Sequence, residues 1–216
     1  NVNLVYLSKD NLIIRLIPPG PDQLRLQVSH SALRNTSAPV ALPVNTPPRS
    51  IAGNQVATYH RHRPATPGDS EAWARACAEL AATEAEAISS YPGGIARTIK
   101  GYLTSIPDQV PASYRRELWR RSRIALDRLD SLTPRRGMVH GDGHLGNLLV
   151  DDSGRGLWID LDTIHIGDPL EDLSWAEVYL RRMSGDGGSA WERFLSAHPP
   201  VDHAELDILI SARELE

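Results

Sequence analysis

The sequence has little of what secreted and membrane-spanning proteins need. Cys77 is the single cysteine among 216 residues, which excludes an intramolecular disulfide and favours a reducing compartment. No apolar run approaches the roughly 18 residues of a transmembrane helix, and no signal peptide is recognisable. The sequence also lacks an initiator methionine, so we expect a processed or truncated chain. We therefore predict a cytoplasmic protein without a membrane partner.

Positive and negative charges are unevenly distributed along the chain. Residues 1–139 contain 18 Lys and Arg against 11 Asp and Glu, a balance of +7, whereas residues 140–216 contain 5 against 16, a balance of −11. The basic part would favour nucleotide phosphates, and the acidic part would attract a cationic small molecule. The alternative is that most of these charges lie on solvated faces. The arginines at 115–128 fall on one amphipathic helix with few aromatic neighbours, so we predict no nucleic-acid partner.

The stretch with the clearest chemistry reads V-H-G-D-G-H-L-G-N-L-L-V-D-D-S-G-R-G-L-W-I-D-L-D and begins at Val139. Two short apolar runs, L-L-V and L-W-I, flank a segment of turn formers, which is typical of a β-hairpin. If the turn is Ser153–Gly154, Asn147 lies opposite Asp160 on the same face. A carboxylate and an amide oxygen at that separation suit Mg²⁺, which prefers oxygen ligands.

The spacing of this stretch has a counterpart among the kinases. His140, Asp142 and Asn147 form H-x-D-x-x-x-x-N, and an aspartate follows at the far end of the hairpin, as in the protein-kinase catalytic loop. The variant H-G-D, with the tail G-D-P-L-E-D-L at 167–173, resembles the aminoglycoside phosphotransferase family, which is similar to choline kinase and other small-molecule kinases. The resemblance implies a two-lobed α+β protein-kinase-like fold, with a small β-rich N-terminal lobe and a larger, mostly helical C-terminal lobe.

The resemblance implies roles for the acidic and amide residues of this stretch. Asp142 would orient the substrate hydroxyl and take up its proton. Asn147 and Asp160 would hold Mg²⁺ on the phosphates of ATP or GTP. Asp172 would accept hydrogen bonds from the backbone of the catalytic loop, although it also fits the N-cap of the helix that follows. Whether Asp162 joins the metal or caps a turn stays open.

The N-terminal part matches the kinase pattern less completely. Two β-rich runs before residue 18 predict a hairpin with its turn at Ser8–Asp10. The resemblance implies that Arg15, on the second run, binds nucleotide phosphates and pairs with a glutamate of the next helix. That helix has no glutamate, Gln27 is its nearest polar candidate, and no glycine-rich loop precedes Arg15. The hinge between the lobes is predicted at His60, where backbone groups would bind adenine.

Two lobes and one reaction follow from the resemblance. Residues 1–60 would form the nucleotide-binding lobe, truncated at its start, and residues 61–216 the catalytic and acceptor-binding lobe. The implied reaction transfers the γ-phosphoryl group of ATP or GTP to a hydroxyl of a small, cationic molecule such as an aminoglycoside-type antibiotic. The oligomeric state stays open. The acidic candidates for binding this cation are Glu171, Glu177, Asp186 and the acids from Asp202 onward.

Two other interpretations fit the same residues. A nucleotide-binding pseudokinase would explain the missing glutamate and glycine-rich loop, while the complete set of Asp142, Asn147 and Asp160 argues against it. A metal-dependent hydrolase would use His140, Asp142 and His144, and would bind zinc or manganese without a nucleotide.

Overall fold

A four-stranded antiparallel sheet forms most of the N-terminal part of the protein. The computed structural model describes residues 4–7, 12–44, 49–84, 88, 93–183, 185 and 188–215. The elements of the N-terminal part are β1 (Leu4–Leu7), β2 (Leu12–Ile17), α1 (Pro21–Leu33), β3 (Arg49–Ile51) and β4 (Asn54–His60). The strand order is β1-β2-β4-β3. β1 and β2 pair as predicted, and the turn predicted at Ser8–Asp10 lies outside the described residues.

The pairing of β2 with β4 decides which side chains of the sheet share a face. Ile13 lies opposite Tyr59, and Arg15 lies opposite Ala57. Directly opposed residues of an antiparallel pair point to the same side, and so do alternate residues of one strand. Ala57 is fully buried, so this face of the sheet turns inward.

Helices and three short pairs of strands form the C-terminal part. Its elements are β5 (Arg63–Pro64), α2 (Ser70–Ala81), α3 (Ile95–Thr104), α4 (Ala112–Leu129), β6 (Gly137–Val139), β7 (Leu148–Val150), β8 (Gly156–Trp158), β9 (His165–Gly167), α5 (Leu170–Glu177), α6 (Ser189–Ala197) and α7 (His203–Arg213), with a π-helical segment (Val178–Met183) directly after α5. β5, β7 and β8 form one sheet, and β6 pairs with β9. None of the described helices is both long enough and apolar enough to cross a membrane.

The predicted hairpin forms between β7 and β8, but the predicted register is wrong by one residue. Leu148 pairs with Trp158, and the N–H of Ile159 donates to the carbonyl of Asn147 at 2.9 Å, so Asn147 faces Ile159 rather than Asp160. The turn is longer than the predicted Ser153–Gly154 pair, because a backbone hydrogen bond of 3.0 Å closes it between Asp151 and Arg155. Gly154, at φ +83°, supplies the left-handed residue that a three-residue loop requires.

The core of the C-terminal part is built around α2. Trp73 is fully buried and meets Phe194 of α6 edge to face, with ring centroids 5.8 Å apart. Trp158 of β8 is also fully buried, and its indole N–H donates to the carbonyl of Ala76 at 3.3 Å. Cys77 lies in the same core, where burial raises the pKa of its thiol. This packing fixes β8, and with it the end of the hairpin that carries the candidate site.

Candidate active site

A buried carboxylate holds the loop between β6 and β7 in place. Asp172 Oδ2 accepts the N–H of His140 at 2.8 Å, and its Oδ1 accepts the N–H of Gly141 at 3.0 Å. Burial raises the pKa of Asp172, and these two N–H groups act against that rise. The predicted N-cap role is wrong, because α5 already begins at Leu170. The predicted hydrogen bonds to the loop backbone are present.

His140 fastens the start of the same loop to the hairpin. Its ring is fully buried against Trp158, with centroids 4.8 Å apart. Nδ1 accepts the N–H of Asp142 at 3.3 Å, so Nε2 carries the proton and donates to the carbonyl of Ile159 at 2.8 Å. With both ring nitrogens occupied, His140 is not available to a metal. No group of three or more His, Cys, Asp or Glu side chains in the described ranges could hold a metal ion, which leaves the hydrolase interpretation without support.

Asp142 presents a carboxylate that is positioned by two neighbours. Its Oδ2 accepts a hydrogen bond of 3.0 Å from Asn147 Nδ2 and lies 3.5 Å from His144 Nε2. His144 Nδ1 accepts the N–H of Gly146, which directs its Nε2–H towards Asp142. The hydrogen bond from His144 holds the pKa of Asp142 below its usual value, against the effect of burial. The side chain remains 40% exposed, so an ionised carboxylate is accessible from outside the loop.

Four predicted cofactor-binding residues line one cavity of about 310 Å³: Arg15, His60, Asn147 and Asp160. Asp160 is one of two non-glycine residues with positive φ in the described ranges (+61°), a left-handed conformation directly after the hairpin. Although it does not face Asn147 across the strands, it lines the same cavity. Asn147 Nδ2 donates to the Asp142 carbonyl at 2.9 Å as well as to its side chain. The Asn147 Oδ1 and the Asp160 carboxylate therefore give this cavity hard oxygen donors of the kind that Mg²⁺ prefers.

The cation on β2 has a partner that the sequence did not suggest. Arg15 Nη2 donates to Asp160 Oδ1 at 2.7 Å, an ion pair between the N-terminal sheet and the end of the hairpin. Gln27 was the nearest polar candidate on α1, but among the described side chains of that helix it is His30 that lines the cavity. The strand cation and the candidate metal ligand are thus in direct contact.

His30 and Tyr59 are cavity residues that sequence reasoning missed. The Tyr59 hydroxyl lies 3.4 Å from His30 Nε2, and the two rings meet edge to face. Burial lowers the pKa of His30 to about 4, and it raises the pKa of Tyr59 to about 12, so both are neutral near pH 7. Tyr59 could have been found by strand alternation, since it shares a face with Ala57. No comparable signal marked His30.

Comparisons with known proteins extend over nearly the whole chain. A family model described as the phosphotransferase enzyme family (APH) matches residues 3–198. A search of curated proteins finds no match. The solved choline/ethanolamine kinase family protein from Mesorhizobium loti is similar, with TM-score 0.71 and 20% identity over 99% of this chain and 72% of that chain.

Two further solved structures show the same likeness. Choline kinase LicA from Streptococcus pneumoniae has TM-score 0.70 and 18% identity, over 99% of this chain and 78% of that chain. Aminoglycoside phosphotransferase APH(3'')-Id from Streptomyces rimosus, solved in complex with ADP and streptomycin, has TM-score 0.65 and 17% identity, over 98% and 89%. These likenesses confirm the predicted fold class, a small sheet-rich N-terminal part followed by a helical C-terminal part. Since the family model spans residues 3–198, this chain belongs to the phosphotransferase enzyme family.

Proposed function

We propose that the protein is a kinase that transfers the γ-phosphoryl group of ATP or GTP to a hydroxyl of a small molecule. The observation that carries this proposal is the contact of Asp142 with Asn147, which lines one cavity together with Asp160. The family supports phosphoryl transfer, and the solved relative in complex with ADP and streptomycin supports a nucleotide and a small molecule as the two substrates.

The nucleotide belongs in the 310 Å³ cavity in this proposal. Its lining includes the apolar side chains of Ile13, Ala41 and Leu149, against which a planar base can pack. Arg15 offers a guanidinium to the phosphates, and His60, at the end of β4, lies at the proposed hinge. Residues 1–60 would then form the nucleotide-binding lobe and residues 61–216 the catalytic and acceptor-binding lobe.

Two residues would hold the metal and a third would act on the acceptor. Asn147 and Asp160 would bind Mg²⁺, which when bound neutralises charge on the phosphates during transfer. Asp142 would orient the acceptor hydroxyl and accept its proton, since an aspartate carboxylate is ionised near pH 7. Phosphoryl transfer proceeds through a loose transition state, so this positioning is the main contribution that the protein makes.

The identity of the acceptor and the cellular location of the protein stay predictions. The resemblance implied a cationic, aminoglycoside-type acceptor, in agreement with the acidic excess of residues 140–216, and the single cysteine with the lack of a recognisable signal peptide predicted a cytoplasmic location. Release of ADP or GDP by the protein with Mg²⁺, across a panel of hydroxylated amines, acids and antibiotics, tests the function. We expect release that depends on one class of compound and that Asp142→Asn abolishes. Nucleotide binding without any acceptor-dependent release would favour the pseudokinase instead.

A further inference from the structure

A second cavity, of about 480 Å³, touches the catalytic loop at Gly141, directly before Asp142. One wall of this acceptor cavity, as we call it, is a face of α3. Thr98 and Tyr102 contribute hydroxyl groups from that face, one helical turn apart, and Ser105 adds a third directly after the helix. The Thr98 and Ser105 hydroxyls donate to the carbonyls of Gly94 and Tyr102, so towards a ligand they act as acceptors. The remaining lining comes from the chain around β9 and from α5 and α7.

The floor of the acceptor cavity is a buried histidine–glutamate pair. His165 and Glu171 are only 2% and 8% exposed, and His165 Nε2 lies 3.6 Å from Glu171 Oε2. Glycines allow the chain to close around the pair. A Cβ at Gly93 would lie 2.2 Å from the His165 ring, and a Cβ at Gly167 would lie 2.9 Å from its Nε2. This close packing holds the two buried side chains in fixed positions at the cavity.

The charges that line the acceptor cavity do not suit a polycation. Glu171 is the one carboxylate among its described lining residues, and it is already engaged by His165 and by the N–H of Ile95, at 3.1 Å. The lining also contains the guanidinium of Arg213, held 4.6 Å over the Trp175 ring. Arg97 is exposed, and within the described ranges it forms no ion pair. Positive charge therefore exceeds negative charge in this cavity.

The acidic excess of residues 140–216 is directed elsewhere. Glu177 lies 3.4 Å from Arg181, Asp202 accepts two backbone N–H groups at the start of α7, and Glu205 forms an ion pair with Arg135. None of these acids lines the acceptor cavity, and Asp186 lies outside the described residues. Three of the acids that suggested a cationic substrate, Glu177, Asp202 and Glu205, are thus engaged in the fold itself.

We propose that this cavity receives the acceptor, and that the acceptor is a polyhydroxylated molecule with an anionic group that pairs with Arg97. The inference rests on the proposed kinase function and reverses the charge that the sequence predicted for the acceptor. The hydroxyl groups of this wall accept hydrogen bonds from the hydroxyl groups of the acceptor, and the cavity reaches the loop at Gly141, the residue directly before Asp142. A carboxylate and a phosphate are equivalent for this purpose, because both accept hydrogen bonds from a guanidinium.

Three compounds with one carbon skeleton test the charge. D-gluconate, D-glucitol and D-glucamine differ only at C1. This carbon belongs to a carboxylate in gluconate, carries a hydroxyl group in glucitol and carries an ammonium group in glucamine. Calorimetry with the whole chain measures the binding of each, and we expect gluconate to bind most tightly and glucamine most weakly. Arg97→Glu should weaken gluconate binding about tenfold and leave glucitol binding unchanged. The matched control is Arg123→Glu, an exposed arginine of α4 outside this cavity, which should change neither.

Each outcome decides the inference. Tighter binding of glucamine, no binding of gluconate, or equal effects of Arg97→Glu and Arg123→Glu would overturn it. Because these are binding measurements, they do not depend on turnover. If the protein binds gluconate through Arg97 but does not bind ATP with Mg²⁺, the anion-binding site is supported and the proposed kinase function is refuted.

Discussion

Replacement of Asp172 by asparagine tests how strongly one buried carboxylate holds the catalytic loop. Its two oxygens accept the N–H groups of His140 and Gly141, at 2.8 and 3.0 Å. Asparagine has one acceptor oxygen, so one of these N–H groups would face an NH₂ group. A hydrogen bond to a charged group contributes about 1.5–3 kcal/mol to the stability of the fold. Part of this loss is offset because asparagine, unlike aspartate, does not bury a charge. We expect the free energy of unfolding to fall by about 2 kcal/mol, which lowers Tm by about 4–8 °C.

Urea and thermal unfolding followed by circular dichroism measure this loss. The control is Asp152→Asn, the same change at an exposed turn residue, for which we expect less than about 0.5 kcal/mol. Turnover by Asp172→Asn should also fall, because the loop that carries Asp142 loses an anchor. Equal Tm values for the two variants would refute the anchoring role of Asp172.

Three further predictions concern the metal, a buried histidine and a glycine. Asp160→Ala should abolish the strengthening of ATP binding by Mg²⁺, measured by calorimetry with and without the metal; an unchanged magnesium effect would contradict its role as a ligand. Burial lowers the pKa of His30 to about 4. Between about pH 6.5 and pH 4 the unfolded chain therefore binds more protons than the folded protein, and the free energy of unfolding decreases as the pH is lowered. From pH 7 to pH 5 this loss is about 2 kcal/mol, and urea unfolding should show that His30→Gln removes it; an equal loss in the variant would contradict the shift. Gly141→Ala places a Cβ 2.8 Å from the Thr163 carbonyl, whereas Gly154→Ala, at nearly the same φ, meets open space. Gly141→Ala should therefore lower Tm more than Gly154→Ala, and equal Tm values would contradict this contact.

The loop between β6 and β7 is held largely by interactions between residues that are close in sequence. Asp142 and Asn147 lie only five residues apart in the sequence, and a hydrogen bond of 3.0 Å joins their side chains. The register of the hairpin was not predictable from the sequence. Asp151 and Gly154 suit a two-residue turn and a three-residue loop equally well, and the hydrogen bond from Asp151 to the Arg155 carbonyl selects the longer one.

The contacts that join distant parts of the chain escaped sequence reasoning. A partner for Arg15 was sought on the next helix, while the carboxylate that binds it belongs to Asp160, 145 residues away. Similarly, Glu205 was a candidate for binding a cationic substrate, but it forms an ion pair with Arg135. That ion pair depends on the packing of α7, which the sequence does not show. Net charge along a sequence does not tell which charges are already paired.

In the proposed kinase, Asp142 orients the acceptor hydroxyl to which the γ-phosphoryl group is transferred. Incubation of the protein with [γ-³²P]ATP, Mg²⁺ and the acceptor panel, followed by separation of organic phosphate esters from inorganic phosphate, measures the fate of that group. We predict label in an organic ester with the wild-type protein, and none with Asp142→Asn, although that variant still binds ATP. Label only in inorganic phosphate, or equal transfer by Asp142→Asn, would contradict the account.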